Sequence, residues 1–141
     1  MPEECIFCRI VVRQTPASII AETEDALAFM DINQMTDGHV LIIPKKHVVD
    51  IFELDEETAD AVYRLTVAVA RAVKAALKPD GLNLWQSNGS AAQQEVFHFH
   101  NHVIARYRGD RDRIRVGWTP SFPSNAHLDA LAETIAAAMQ L

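Results

Sequence analysis

The chain has only two cysteines, Cys5 and Cys8, separated by Ile6 and Phe7. Two thiols this close are not the layout of a disulfide framework. A chain of 141 residues does not need one either, since a domain of this length buries roughly 70% of its unfolded surface. Long apolar runs are missing as well: none comes near the ~18 residues that a membrane span requires, so no membrane partner is expected. Basic charge is scarce, with 13 Lys and Arg against 19 Asp and Glu and a formal net charge of -6. A binder of nucleic-acid polymers needs a basic footprint, so that class of partner is excluded, whereas a small anion held by a few groups is not. The opening Met1-Pro2-Glu3-Glu4 offers neither the basic n-region nor the apolar h-region of a secretory signal, which predicts a cytoplasmic protein. Linkers, repeats and low-complexity tracts are absent, so residues 1–141 read as a single domain. No Walker or Rossmann glycine pattern occurs.

The elements that are present alternate short strands with one long helix. Ser18 to Glu22 and Ala26 to Met30 read as strands split by the turn-like Thr23-Glu24-Asp25. After a polar break, His39 to Ile43 forms a third strand, ended by Pro44. A helix is predicted from about Asp55 to Lys78, with Asp55 as N-cap, Glu56 and Glu57 at the positive end of the dipole, and Pro79 and Gly81 as its stop. Val62, Leu65, Val69, Val73 and Ala76 make its apolar stripe. Leu82 to Ser87 alternates as a strand, Asn88 to Glu95 is a polar loop, and Val96 to Ala105 is a final strand. A last amphipathic helix carries Leu128, Leu131, Ile135 and Met139. Without a regular strand–helix alternation, this order argues for an antiparallel sheet with helices on one side, the α+β class.

The most informative segment is His98-Phe99-His100-Asn101-His102. On a strand the three imidazoles share one face, ~6.5–7 Å apart. Three histidines side by side are poor packing groups, and clustered titratable groups mark sites. Spacing alone leaves two chemistries open: metal ligation by His-x-His pairs, or nucleophilic catalysis with one imidazole attacking and its neighbours setting protonation. The Cys5–Cys8 spacing suits one zinc ion, but a tetrahedral site needs two further ligands.

Taken with Cys5-Ile6-Phe7-Cys8-Arg9-Ile10, Phe29-Met30-Asp31-Ile32-Asn33, Gly38 to His47 and the loop from Asn88 to Gln94, the segment His98 to Ile104 resembles the histidine triad (HIT) family of nucleotide hydrolases and transferases. The resemblance runs along nearly the whole chain and is to the bacterial zinc-containing type. It implies an α+β fold of about five antiparallel strands with one long and one C-terminal helix. It also implies a homodimer that takes a small molecule built on a purine nucleoside monophosphate. His100 would attack the α-phosphorus, His102 would bond the phosphate and assist the leaving group, and His98 and His39 would fix orientation and tautomer. The nucleoside would rest among Ile6, Phe7, Ile10, Phe29 and Ile32, with Asp31 on the ribose hydroxyls and Asn88, Gln94 and Glu95 in the phosphate loop. A structural zinc would be held by Cys5, Cys8, His47 and His98, and no divalent cation would be required for the chemical step. The activity implied is hydrolysis of a nucleoside phosphoramidate or adenylated small molecule. The alternatives are a dinucleoside polyphosphate hydrolase and a nucleotide-binding module with little activity.

Four positions depart from the family's pattern. Gln93 stands where glycine is usual, Glu95 replaces a Ser or Thr, Asn101 interrupts the apolar back of the triad strand, and Ala105 replaces a proline. Arg106, Arg108, Arg111, Arg113 and Arg115, interleaved with Asp110 and Asp112, read as a solvated turn. His127 reads as surface.

Overall fold

The computed structural model describes residues 2–112, 114 and 117–140. A short helix, α1 (Ile6–Val11), precedes two strands, β1 (Ile19–Glu22) and β2 (Ala26–Met30). Strand β3 (His39–Pro44) leads through a 3-10 turn at Ile51–Glu53 to the long helix α2 (Glu56–Leu77). Strand β4 (Gly81–Trp85), a second 3-10 turn at Ser90–Ala92, strand β5 (Asn101–Arg106) and helix α3 (Asn125–Ala138) complete the order. The sheet is antiparallel throughout, in the order β1-β2-β3-β5-β4. This is the expected α+β architecture, but its helices are not confined to one side of the sheet, since α1 packs on the face opposite α2.

Helix α2 begins where Asp55 Oδ1 accepts from the Thr58 N–H at 2.8 Å, and it ends at Lys78 in the left-handed conformation before Pro79. Val62, Leu65, Val69 and Val73 are buried against one face of the sheet, each worth roughly 1.5–3 kcal/mol. The stripe stops there, because Ala76 is exposed. Alternation along β2 and β3 divides the core in two. Ala26, Ala28, Val40 and Ile42 face α2, while Leu27, Phe29, Leu41 and Ile43 face α1 through Phe7 and Ile10.

Three sequence readings change. The triad strand starts at Asn101 rather than Val96: Val96 to His98 form a bend, and the Phe99 N–H donates to the Val48 carbonyl instead of joining a ladder. Only His102 therefore sits in the sheet. Helix α1 is additional; it is too short for a periodicity signal. Its N-cap is the Cys5 sulfur, 3.5 Å from the Cys8 N–H. In the arginine run, Arg106 is clamped by both Asp110 oxygens at 2.8 and 2.9 Å, whereas Arg113 and Arg115 lie outside the described residues. Asn101 has a specific role: its Nδ2 donates to Thr66 Oγ1 on α2 at 3.1 Å, and that hydroxyl in turn donates to the Val62 carbonyl. Residues 117–140, including α3 and His127, are all exposed.

Candidate active site and metal centre

On the α1 face of the sheet a cavity of about 380 Å³ opens beside the triad. Register explains its floor. Phe29 pairs with Leu41, Leu41 with His102 and His102 with Trp85, so one row of side chains crosses four strands and all four members line the cavity. His39 and Ile104 make the next paired row. Ile6, Phe7 and Ile10 of α1 form a wall, and the loop residues Gln93, Glu95 and Val96 form another with His100.

Hydrogen bonds fix where the protons are. The Met35 N–H can only donate, and it lies 3.2 Å from His39 Nδ1. Neutral His39 therefore carries its proton on Nε2, which is 2.8 Å from His102 Nδ1. That assigns the His102 proton to Nε2. Asp31 Oδ2, 3.4 Å from His39 Nε2, steadies the middle of the chain. His100 Nδ1 donates to the His98 carbonyl at 2.7 Å, which leaves Nε2 as a lone pair for the cavity. The His100 and His102 rings stand 4.8 Å apart between centroids, and Phe7 meets His100 edge-on at 5.3 Å.

Burial keeps these rings uncharged. It lowers His102 from the ordinary 6.5 to about 4, helped by the neighbouring His100 and His39. It lowers His100, against the pull of the His98 carbonyl and of Asp31. His39 is also lowered, burial outweighing the Asp31 carboxylate and the Asn33 carbonyl. At neutral pH His100 is thus a free base, the form that can attack phosphorus.

His98 turns away from this cavity. Its Nδ1 lies 3.4 Å from Cys5 Sγ and 3.6 Å from Cys8 Sγ, while His47 Nδ1 lies 3.3 Å from Cys8 Sγ. The four donor atoms all fall within 4.8 Å of one another. Sulfur and nitrogen ligands on a tetrahedral zinc stand about 3.6 Å apart, from bond lengths of roughly 2.3 and 2.05 Å, so both donor set and spacing fit that ion. His98 Nε2 bonds the Pro44 carbonyl at 2.8 Å, the outer contact that orients a metal-binding imidazole. Burial first, and then Cys5 beside it, pushes the Cys8 thiol up to about 11, a penalty that a cation among the ligands would reverse.

Most of the residues expected at the site meet here. His39, His100, His102, Ile6, Phe7, Ile10, Phe29, Asp31, Ile32 and Glu95 border the cavity, with Ile32 at an exposed rim. Cys5, Cys8, His47 and His98 meet in the metal group. Two side chains do not border the cavity. Asn88 Oδ1 accepts from the Ile51 N–H at 2.8 Å and from Gln86 Nε2 at 2.7 Å. Gln94, 4% exposed, accepts from the Gly89 N–H and donates to the Val49 and Val96 carbonyls. Both brace the loop from behind. Trp85, Ser87 and Met35 are additional wall residues; Trp85 is brought in by its register with His102, which spacing within one segment does not reveal. Gln93 adopts φ 66 and ψ 30, a left-handed conformation that costs a non-glycine residue roughly 1 kcal/mol and accounts for the glycine preferred there.

The model of the HIT domain matches residues 12–109 of this chain. A HIT family protein from Bacillus anthracis is 41% identical, with a TM-score of 0.93 over 99% of this chain and 100% of that one. The adenosine 5′-monophosphoramidase of Schizosaccharomyces pombe is 39% identical over 132 residues, 93% of this chain and 95% of that protein. A Zn-bound histidine triad family protein from Mycobacterium smegmatis is 36% identical, with a TM-score of 0.73 over 95% of this chain and 97% of that one. With the triad, the sheet and nearly the full length shared, the protein belongs to the HIT family.

Proposed function

We propose that this protein is a hydrolase that cleaves a purine nucleoside phosphoramidate or an adenylated small molecule at the α-phosphorus, through a nucleotidyl intermediate on His100. The observation that carries this reading is the anchoring of His100 Nδ1 on the His98 carbonyl, which commits Nε2 to the cavity as a neutral nucleophile. The named activity of the Schizosaccharomyces pombe relative supports the substrate class.

In the first step His100 Nε2 forms a bond to phosphorus while the bond from phosphorus to the amine nitrogen breaks, its electron pair leaving on nitrogen. The departing nitrogen needs a proton. Burial alone keeps His102 uncharged, but an anionic phosphate beside it favours the imidazolium. A proton taken up from solvent as the substrate binds adds to His102 Nδ1 while the His39 Nε2–H turns to Asp31 Oδ2, and the Nε2 proton of His102 then passes to the amine. Water next attacks phosphorus, passes a proton to His102 Nε2 and breaks the bond to His100, whose Nε2 regains its lone pair, releasing the nucleoside monophosphate. Amides of Glu95 and Val96, residues of the cavity wall, would hold phosphate oxygens. Phe7, Ile10, Phe29 and Ile32 would sandwich the base, and Asp31 would accept from the ribose hydroxyls. Asn88 and Gln94 act as positioning residues that hold the phosphate loop, and no divalent cation acts on the phosphate.

Zinc at Cys5, Cys8, His47 and His98 would tie α1, a wall of the nucleoside cavity, to the residue whose carbonyl orients His100. The protein is read as a cytoplasmic homodimer. Support comes from α3, whose Leu128, Leu131 and Ile135 are 46–64% exposed on one apolar face, and from β4, a strand at the sheet edge. Among the described residues no helix is long and apolar enough to cross a membrane.

The test is to incubate the protein with an adenosine phosphoramidate and with a diadenosine polyphosphate, with and without chelator, beside His100→Ala. The proposal expects phosphoramidate turnover that is lost in His100→Ala. Turnover that survives the substitution refutes the nucleophile, and nucleotide binding without turnover makes the protein a binding module.

A further inference from the structure

The charge of the cavity wall is unusual for a site that receives a phosphate. It holds two carboxylates, Asp31 and Glu95, and three imidazoles, and among the described residues no lysine or arginine lines it. The nearby cations are used elsewhere: Arg13 and Lys45 pair with Glu22, and Lys46 pairs with Asp55. The two carboxylates differ. Asp31 accepts from the Asn33 N–H at 2.8 Å and lies against His39, so its charge is engaged. Glu95 is exposed and enters no ion pair or hydrogen bond among the described residues. Its backbone follows directly on Gln94, which is buried and anchored to Gly89, Val49 and Val96.

A nucleotide brings at least one further negative charge to this wall, five residues along the chain from the nucleophile His100. A phosphate and an unpaired carboxylate in one cavity repel, and a substrate carrying its own cation turns that repulsion into attraction. We propose that Glu95 is a specificity-determining residue that selects leaving groups bearing a positive charge, namely amines or amino-acid derivatives with a second, distal ammonium. The ammonium stays intact through the reaction; the bond that breaks is still that between phosphorus and the other nitrogen. This inference rests on the phosphoramidase reading and names its substrate class.

The experiment uses three adenosine phosphoramidates whose leaving amines have equal length and end in an ammonium, a hydroxyl or a carboxylate. Values of kcat/KM are measured for the full chain and for Glu95→Gln and Glu95→Ser, at low and high salt. Wild type should favour the ammonium over the hydroxyl substrate by about 2- to 5-fold and disfavour the carboxylate, as expected for one exposed charge pair. Both variants should bring the ratios close to one, and salt should compress them only in wild type. Because ratios are compared, a general loss of activity in a variant does not disturb the result. Equal ratios in wild type and Glu95→Gln, or a wild type indifferent to the distal charge, overturn the proposal while turnover of the hydroxyl substrate leaves the phosphoramidase reading standing. A wild type that neither turns over any of the three nor binds adenosine monophosphate overturns both.

Discussion

Gly38 stands immediately before His39, and its replacement by alanine should be destabilising for two separable reasons. Its φ is 105, in the region that side chains rarely adopt, and a methyl built there would stand 2.7 Å from Leu77 Cδ1 and 3.0 Å from Ala105 Cβ. The backbone term is worth about 1–2 kcal/mol. Overpacking against β5 adds about 1–3 kcal/mol, because Ala105 is fully buried, whereas the exposed Leu77 side chain can turn aside. Gly109 supplies the control, with φ 86 and nothing within 4 Å of the added methyl. Gly38→Ala should therefore lower stability by about 2–5 kcal/mol in urea unfolding, and Gly109→Ala by only about 1–2 kcal/mol. The functional consequence should follow the same order. A displacement of β3 moves His39 against His102, so kcat should drop in Gly38→Ala while Gly109→Ala keeps it. Equal destabilisation by the two substitutions would show that the close approach of α2 and β5 to Gly38 does not constrain the site.

Metal analysis of protein purified without chelator should find about one zinc per chain, on the reasoning that four well-spaced ligands close one tetrahedral site. Cys5→Ser and Cys8→Ser should each abolish it and lower stability, and a stable metal-free wild type would remove the clasp from the account. For His102 the folded pKa, about 4, lies below the unfolded 6.5, so the unfolded chain binds more protons between these values. Stability should be flat above pH 6.5 and fall by on the order of 3 kcal/mol as pH drops to about 4. His102→Asn should remove that share of the slope, and an unchanged slope would contradict the assignment. Replacing Gln94 by alanine leaves the Gly89 N–H and two carbonyls without their partner, so kcat/KM should fall about tenfold or more with unchanged zinc content.

The sequence was most legible where one segment carried its own pattern. The stripe on α2, the Asp55 cap and the α+β order are local signals, and each appears in the fold. The triad was legible as a cluster, but its division was not. Alternation places three imidazoles on one strand face, whereas the bend at Val96 to His98 sends His98 to the cysteines and leaves His100 and His102 to the cavity. That bend follows from the Phe99 bond to Val48, a partner about fifty residues away that no local pattern reveals. Trp85 was missed for the same reason, since it reaches the site through its register with His102. The resemblance implies Asn88 and Gln94 for the phosphate loop, and their hydrogen bonds to the Ile51 and Val49 backbone only become visible with the chain folded.

The central claim is that His100 Nε2 becomes bonded to phosphorus. It is tested most directly by mixing the protein with excess adenosine phosphoramidate, quenching within one turnover in alkali, where a phosphorus–imidazole bond survives, and mapping the peptides by mass. The account predicts an adenylyl group on the peptide containing His98, His100 and His102, assigned to His100 by fragmentation and absent in His100→Ala. Turnover without any such adduct, or an adduct on another residue, would contradict it.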